Sequence, residues 1–105
     1  MRNEKRLQTN ILDDLRSYGK YCECFKIEKT SDNGTPDIFF TTNVTGAVFI
    51  EVKRTGKEAE KLQANRIKNL WACGCKAFVV ASWEEWISVK ASLKLSKHIF
   101  DVINS

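Results

Sequence analysis

Asp37, Glu51 and Lys53 are the residues of this chain whose types and spacing could do chemistry together. Asp37 to Thr41 and Ala47 to Lys53, rich in β-branched and aromatic residues, read as the two arms of a hairpin around "TNVTG". A turn centred near Val44 pairs residues whose numbers sum to about 88. Asp37 and Glu51 then become cross-strand neighbours on one face, with Lys53 two residues further along it. A slip of register would still leave both acids at the open end of the hairpin.

Two adjacent carboxylates repel, and a cation between them relieves the repulsion. Oxygen donors in this number suit Mg2+ or Mn2+, which bind few protein groups and keep several waters. Such a metal polarises a phosphate oxygen and acidifies a bound water, while a nearby ammonium orients that water or stabilises developing charge. The trio fits metal-assisted hydrolysis of a phosphodiester. On these residues alone a plainer reading stays open: Asp37 starts a strand after Pro36, and Glu51 and Lys53 pair on an exposed edge.

The elements that must position the trio are legible from periodicity. Asn3 caps a helix running to about Tyr18, with Leu7, Ile11, Leu15 and Tyr18 on one face and Gly19 at its end. "KYCECFKIEKT" reads as a strand of about eight residues, closed by "SDNGT" and Pro36. After the hairpin, Ala59, Leu62, Ile67, Leu70 and Trp71 mark a helix from about Glu58 to Cys73, which Gly74 stops. "KAFVVAS" is apolar throughout, the pattern of a strand buried on both faces. Ser82 and Glu85 form a capping box for a third helix holding Trp83, Trp86 and Val89. The tail "SKHIFDVINS" reads as either a last helical turn or a short strand, and its lone His98 supports no catalytic role.

The order α-β-β-β-α-β-α predicts one α/β domain over residues 1–105, a mixed sheet flanked by helices. The strand after the long helix is expected parallel to the strand before it. The length suits a single core. A net charge of +4 permits a polyanionic partner without requiring one. No run approaches the roughly 18 apolar residues of a membrane span, and the N-terminus lacks a signal-peptide pattern, so a cytoplasmic protein without membrane contact is expected. In that compartment Cys22, Cys24, Cys73 and Cys75 read as buried thiols, because C-x-C spacing suits neither a zinc knuckle nor a disulfide framework. Trp71, Trp83 and Trp86 read as core or subunit-interface residues. Arg54, Lys57, Lys61, Arg66 and Lys68 cluster with Lys53 in one loop and helix, where they can meet phosphates, although Glu58 and Glu60 interrupt the patch.

"GTPD" at Gly34–Asp37 followed by "EVK" at Glu51–Lys53 resembles the PD-(D/E)XK nuclease signature. With "EKRLQ" in the first helix, "KLQ" in the helix after the hairpin and "GCKAFVVAS" near the end, the chain resembles the virus-type replication-repair nuclease family, VRR-Nuc. The resemblance spans roughly Glu4 to Trp86 and implies a restriction-endonuclease-like core. It implies that Asp37 and Glu51 hold Mg2+ or Mn2+ together with the backbone carbonyl of Val52, and that Lys53 is the catalytic lysine. Glu4 is the implied first-helix acid of the metal site, with Gln8 supporting it one turn on. Gln63 is implied to set Lys53 or contact phosphate. The implied activity is a structure-selective DNA endonuclease, a homodimer resembling Holliday-junction resolvases, acting on branched or flapped DNA with no organic cofactor. The alternatives are a flap or nicking nuclease working with a partner, and a noncatalytic DNA-binding module of a replication or repair complex.

Overall fold

The computed structural model describes residues 4–28, 34–53 and 61–96. Helix α1 (Glu4–Arg16) is followed by a 3-10 turn at Gly19–Tyr21 and by strands β1 (Cys22–Lys26), β2 (Ile38–Thr42) and β3 (Gly46–Val52). Helix α2 (Lys61–Ala72), strand β4 (Lys76–Val80) and helix α3 (Trp83–Ser92) complete the expected order. The sheet runs β1-β2-β3-β4, antiparallel across the first three strands and parallel between β3 and β4.

The core lies on one face of the sheet. Leu7, Ile11 and Leu15 recur at helical spacing on α1 and are buried against Ile38, Phe40, Val48, Ile50 and Val52, alternate residues of β2 and β3. Trp86 of α3 is fully buried, edge-on to Phe40 with ring centroids 5.9 Å apart. Its Nε1–H donates to Asp14 Oδ2 at 2.8 Å, and Lys90 Nζ meets the same oxygen at 2.7 Å. This polar link ties α1 to α3. At the hairpin tip Thr42 Oγ1 accepts from the backbone N–H groups of Val44 and Thr45, which pins the turn and with it the register.

Several expectations are corrected. Helix α1 ends at Arg16 rather than near Tyr18. Strand β1 has five residues rather than about eight, because the chain between Gly19 and Tyr21 winds as a 3-10 turn. The apolar stripe of α2 does not enter the core: none of its residues is buried, and Leu62 and Trp71 are 57% and 47% exposed. Strand β4 has a buried residue on each face, as expected, but is not buried throughout. It sits at the sheet edge, with Ala77 and Val80 buried and its other residues half-buried. Trp71 instead dresses that edge, donating Nε1–H to the Ala77 carbonyl at 2.8 Å and meeting the Phe78 ring edge-on.

Ser82 caps α3 as expected by accepting from Glu85 N–H, while the Glu85 carboxylate accepts from Ala81 N–H, one residue before the cap. All four cysteines are free; Cys22 is buried and its thiol is pushed up to about 12 by burial, but Cys73 is exposed. Cys73 follows a helix that contributes nothing to the core, so no surface was there to cover it. Asn3, Ala59 and His98 lie outside the described residues. Among the described residues no helix is long and apolar enough to cross a membrane.

Candidate active site

Strand pairing sets the site. Ile38 pairs with Ile50, the register expected from the sequence, and the ladder ends there, leaving Asp37 and Glu51 at the open end of the hairpin. Three backbone bonds hold this end. Asp37 N–H donates to the Ile50 carbonyl at 3.0 Å, Ile27 N–H donates to the Asp37 carbonyl at 2.7 Å, and Lys53 N–H donates to Val80 at 2.8 Å. The Asp37 side chain is fixed as well, Oδ2 accepting the Val52 N–H at 2.8 Å. Strands β1 and β4 thus brace the residues that β2 and β3 carry.

Glu51 is the unusual member. It is only 3% exposed, on the face of β3 opposite the core residues Ile50 and Val52. Gln63 Nε2 donates to its Oε2 at 2.7 Å, and Lys53 Nζ stands 3.5 Å from the same oxygen. Its other oxygen, Oε1, is buried and has no hydrogen-bond partner among the described residues. Burial, then the Asp37 charge, push the Glu51 carboxyl up to about 7, and Glu4 adds to this while Lys53 opposes it. A buried acceptor without a donor is costly, and a bound cation would remove that cost. The donor set therefore fits a divalent metal.

Gln63 reaches Glu51 because of Gly34. This glycine has φ +84, and a Cβ on it would lie 3.0 Å from the Leu62 carbonyl oxygen and 3.3 Å from Gln63 N. The first glycine of "GTPD" thus lets its turn press against the start of α2, which brings the glutamine over the carboxylate.

A cleft of about 390 Å3 opens here, and Glu4, Gln8, Asp37, Glu51, Lys53 and Gln63 all line it. The residues singled out from the sequence for chemistry therefore share one cavity, with Val52 beside them. Among the described residues no three acidic, histidine or cysteine side chains converge as a metal cage. The protein's share of a metal shell would be small, as suits an ion that keeps its waters. Lys61 and Arg66 lie on α2 beyond the cleft lining, and Arg54 and Lys57 lie outside the described residues. Lys5, Lys26 and Glu28 also line the cleft. Sequence reasoning passed over them because an isolated lysine or glutamate carries no spacing signal.

No protein-family model and no curated protein matches the sequence. Among solved structures, the chain is similar to one described as "VRR_NUC domain", with TM-score 0.67 and 22% identity over 78% of this chain and 87% of that one. It is also similar to a "VRR_NUC domain protein", with TM-score 0.69 and 20% identity over 91% of this chain and 93% of the other. The chain has the fold of VRR_NUC domains, a restriction-endonuclease-like core, and the resemblance read from "GTPD" and "EVK" is matched by its architecture.

Proposed function

We propose that this chain is a VRR-Nuc-type nuclease, a metal-dependent and structure-selective DNA endonuclease that works as a homodimer on branched DNA. The observation that carries the reading is Glu51: a buried carboxylate near Asp37, one oxygen held by Gln63 and Lys53 and the other without a donor among the described residues. A merely structural acid would be paired at both oxygens or exposed. The shared fold with VRR_NUC domains supports the same reading.

Asp37, Glu51 and the Val52 carbonyl would hold Mg2+ or Mn2+, with Glu4 acting from the cleft wall. Bound there, the ion would supply an acidified water and charge compensation at a phosphate oxygen. The chain's own groups divide the remaining work. The Val52 N–H fixes the Asp37 carboxylate, and Gln63 fixes the rotamer of Glu51. Lys53, half-buried beside Glu51, places an ammonium where negative charge grows on the scissile phosphate. Gln8 lines the same wall of the cleft, one helical turn beyond Glu4.

Cleavage of a labelled panel of four-way junction, flap, nicked duplex, linear duplex and single strand tests this, with Mg2+, with Mn2+ and with chelator. Metal-dependent, symmetric nicking of the junction, abolished by Asp37→Asn, is the expected result. Cutting that survives chelator or Asp37→Asn would overturn the assignment.

A further inference from the structure

The cleft holds four carboxylates, Glu4, Glu28, Asp37 and Glu51, and a polyanion would be repelled from it unless cations compensate. Three lysines line the same cleft: Lys5, Lys26 and Lys53. Lys53 is engaged with Glu51. Lys5 and Lys26 are exposed, and neither forms an ion pair among the described residues. They are charges facing a cavity without an ion-pair partner among the described residues.

Their placement is complementary to that of the α2 cations. Helix α1 packs on the Ile50 and Val52 face of the sheet, and Lys5 sits in its first turn. Lys26 ends β1 and pairs with Ile38, next to Asp37 on the neighbouring strand. Gln63, by contrast, comes to Glu51 from α2, and Lys61 and Arg66 ride on that helix. The acids thus lie between an α1–β1 wall and an α2 wall.

We propose that Lys5 and Lys26 bind the DNA backbone on the α1–β1 side of the scissile phosphate, so that the strand is held on both sides of the acids. The assignment rests on the nuclease reading of the site. A phosphodiester chain crossing the cleft must pass both walls, and each flanking phosphate needs a cation to replace its counterions. Without the α1–β1 pair, attraction would come from the α2 side alone, and the strand could leave the cleft over Glu4 and Glu28. The two lysines position substrate and touch no reacting atom.

The test is a binding titration of the wild-type chain and the Lys5→Ala/Lys26→Ala double variant with a fluorescent four-way junction. It is run in chelator over a range of salt, so that no cutting intervenes. Loss of two phosphate contacts should weaken binding roughly tenfold or more and flatten the slope of log affinity against log salt by about 2. An unchanged slope and affinity would overturn the proposal. Metal-dependent cutting by both proteins is followed in parallel, and the double variant should show a raised KM with a nearly unchanged kcat. If the wild-type chain cuts and the double variant binds normally, the lysine assignment falls and the nuclease reading stands. If the slope flattens but neither protein cuts, the backbone contact stands and the nuclease reading falls. Thermal melting confirms the fold of the variant, whose two substitutions are at exposed positions.

Discussion

Glu51 meets two conflicting demands in the metal-free protein, since it is buried and faces a second carboxylate. Between about pH 4.5 and 7 the folded chain holds a proton there that the unfolded chain has released. Its contribution to stability is therefore complete below about pH 4.5 and is lost as pH rises through about 7. The loss is on the order of 3 kcal/mol. Urea melts of metal-free protein should show this decline, and Glu51→Gln should flatten it and be the more stable protein at pH 8. A wild-type profile no steeper than that of Glu51→Gln would contradict the burial argument. Metal must displace the same proton, so calorimetric affinity for Mn2+ should fall as pH drops below 7. In cleavage assays Glu51→Gln and Lys53→Ala should each lose at least about a hundredfold in rate, with circular dichroism unchanged. A variant cutting at the wild-type rate would remove that residue from the site.

At the scale of elements, the hairpin carries the acids and α2 completes them. Gly34 joins the two, since its backbone touches Leu62 and Gln63 where no side chain fits. Gly34→Ala should cost about 1–3 kcal/mol through its positive φ and the close contact, read from denaturant melts. It should also lower cleavage beyond what the stability loss explains, because Gln63 is pushed off Glu51. Gln63→Ala should reproduce the activity loss while leaving the Gly34 turn intact, its own stability cost coming from the donor that Glu51 Oε2 loses. A Gly34→Ala variant that, corrected for stability, cleaves at the wild-type rate while Gln63→Ala does not would break the link between turn and glutamine. Together with the Trp71 bond to the Ala77 carbonyl, this contact seats a helix that has no buried residue.

For the whole molecule, the proposed homodimer would cover apolar surface that the monomer leaves open. Phe25, Leu62, Trp71 and Ile87 are each between 44% and 57% exposed. Light scattering coupled to size exclusion should report twice the 12.0 kDa chain mass at micromolar concentration. A monomer at every concentration, with cleavage of flaps in preference to junctions, would instead favour the flap or nicking reading.

The sequence by itself determined the element order, the hairpin register and the identity of the paired acids. Each depends on local information: periodicity for α1, turn chemistry around Val44, and strict alternation along β2 and β3. The bond between Gln63 and Glu51 and the side chains lining the cleft belong to the tertiary structure. So does the finding that α2 stays outside the core, for its stripe of Leu62, Leu70 and Trp71 is the pattern of a core helix. A stripe states that a face is apolar and leaves open which surface receives it; here the core was already filled by α1 and α3 on the other side of the sheet. Lys5 and Lys26 were illegible for a related reason. Their meaning depends on the cavity they face, and that cavity exists only once three strands and two helices have met around Asp37 and Glu51.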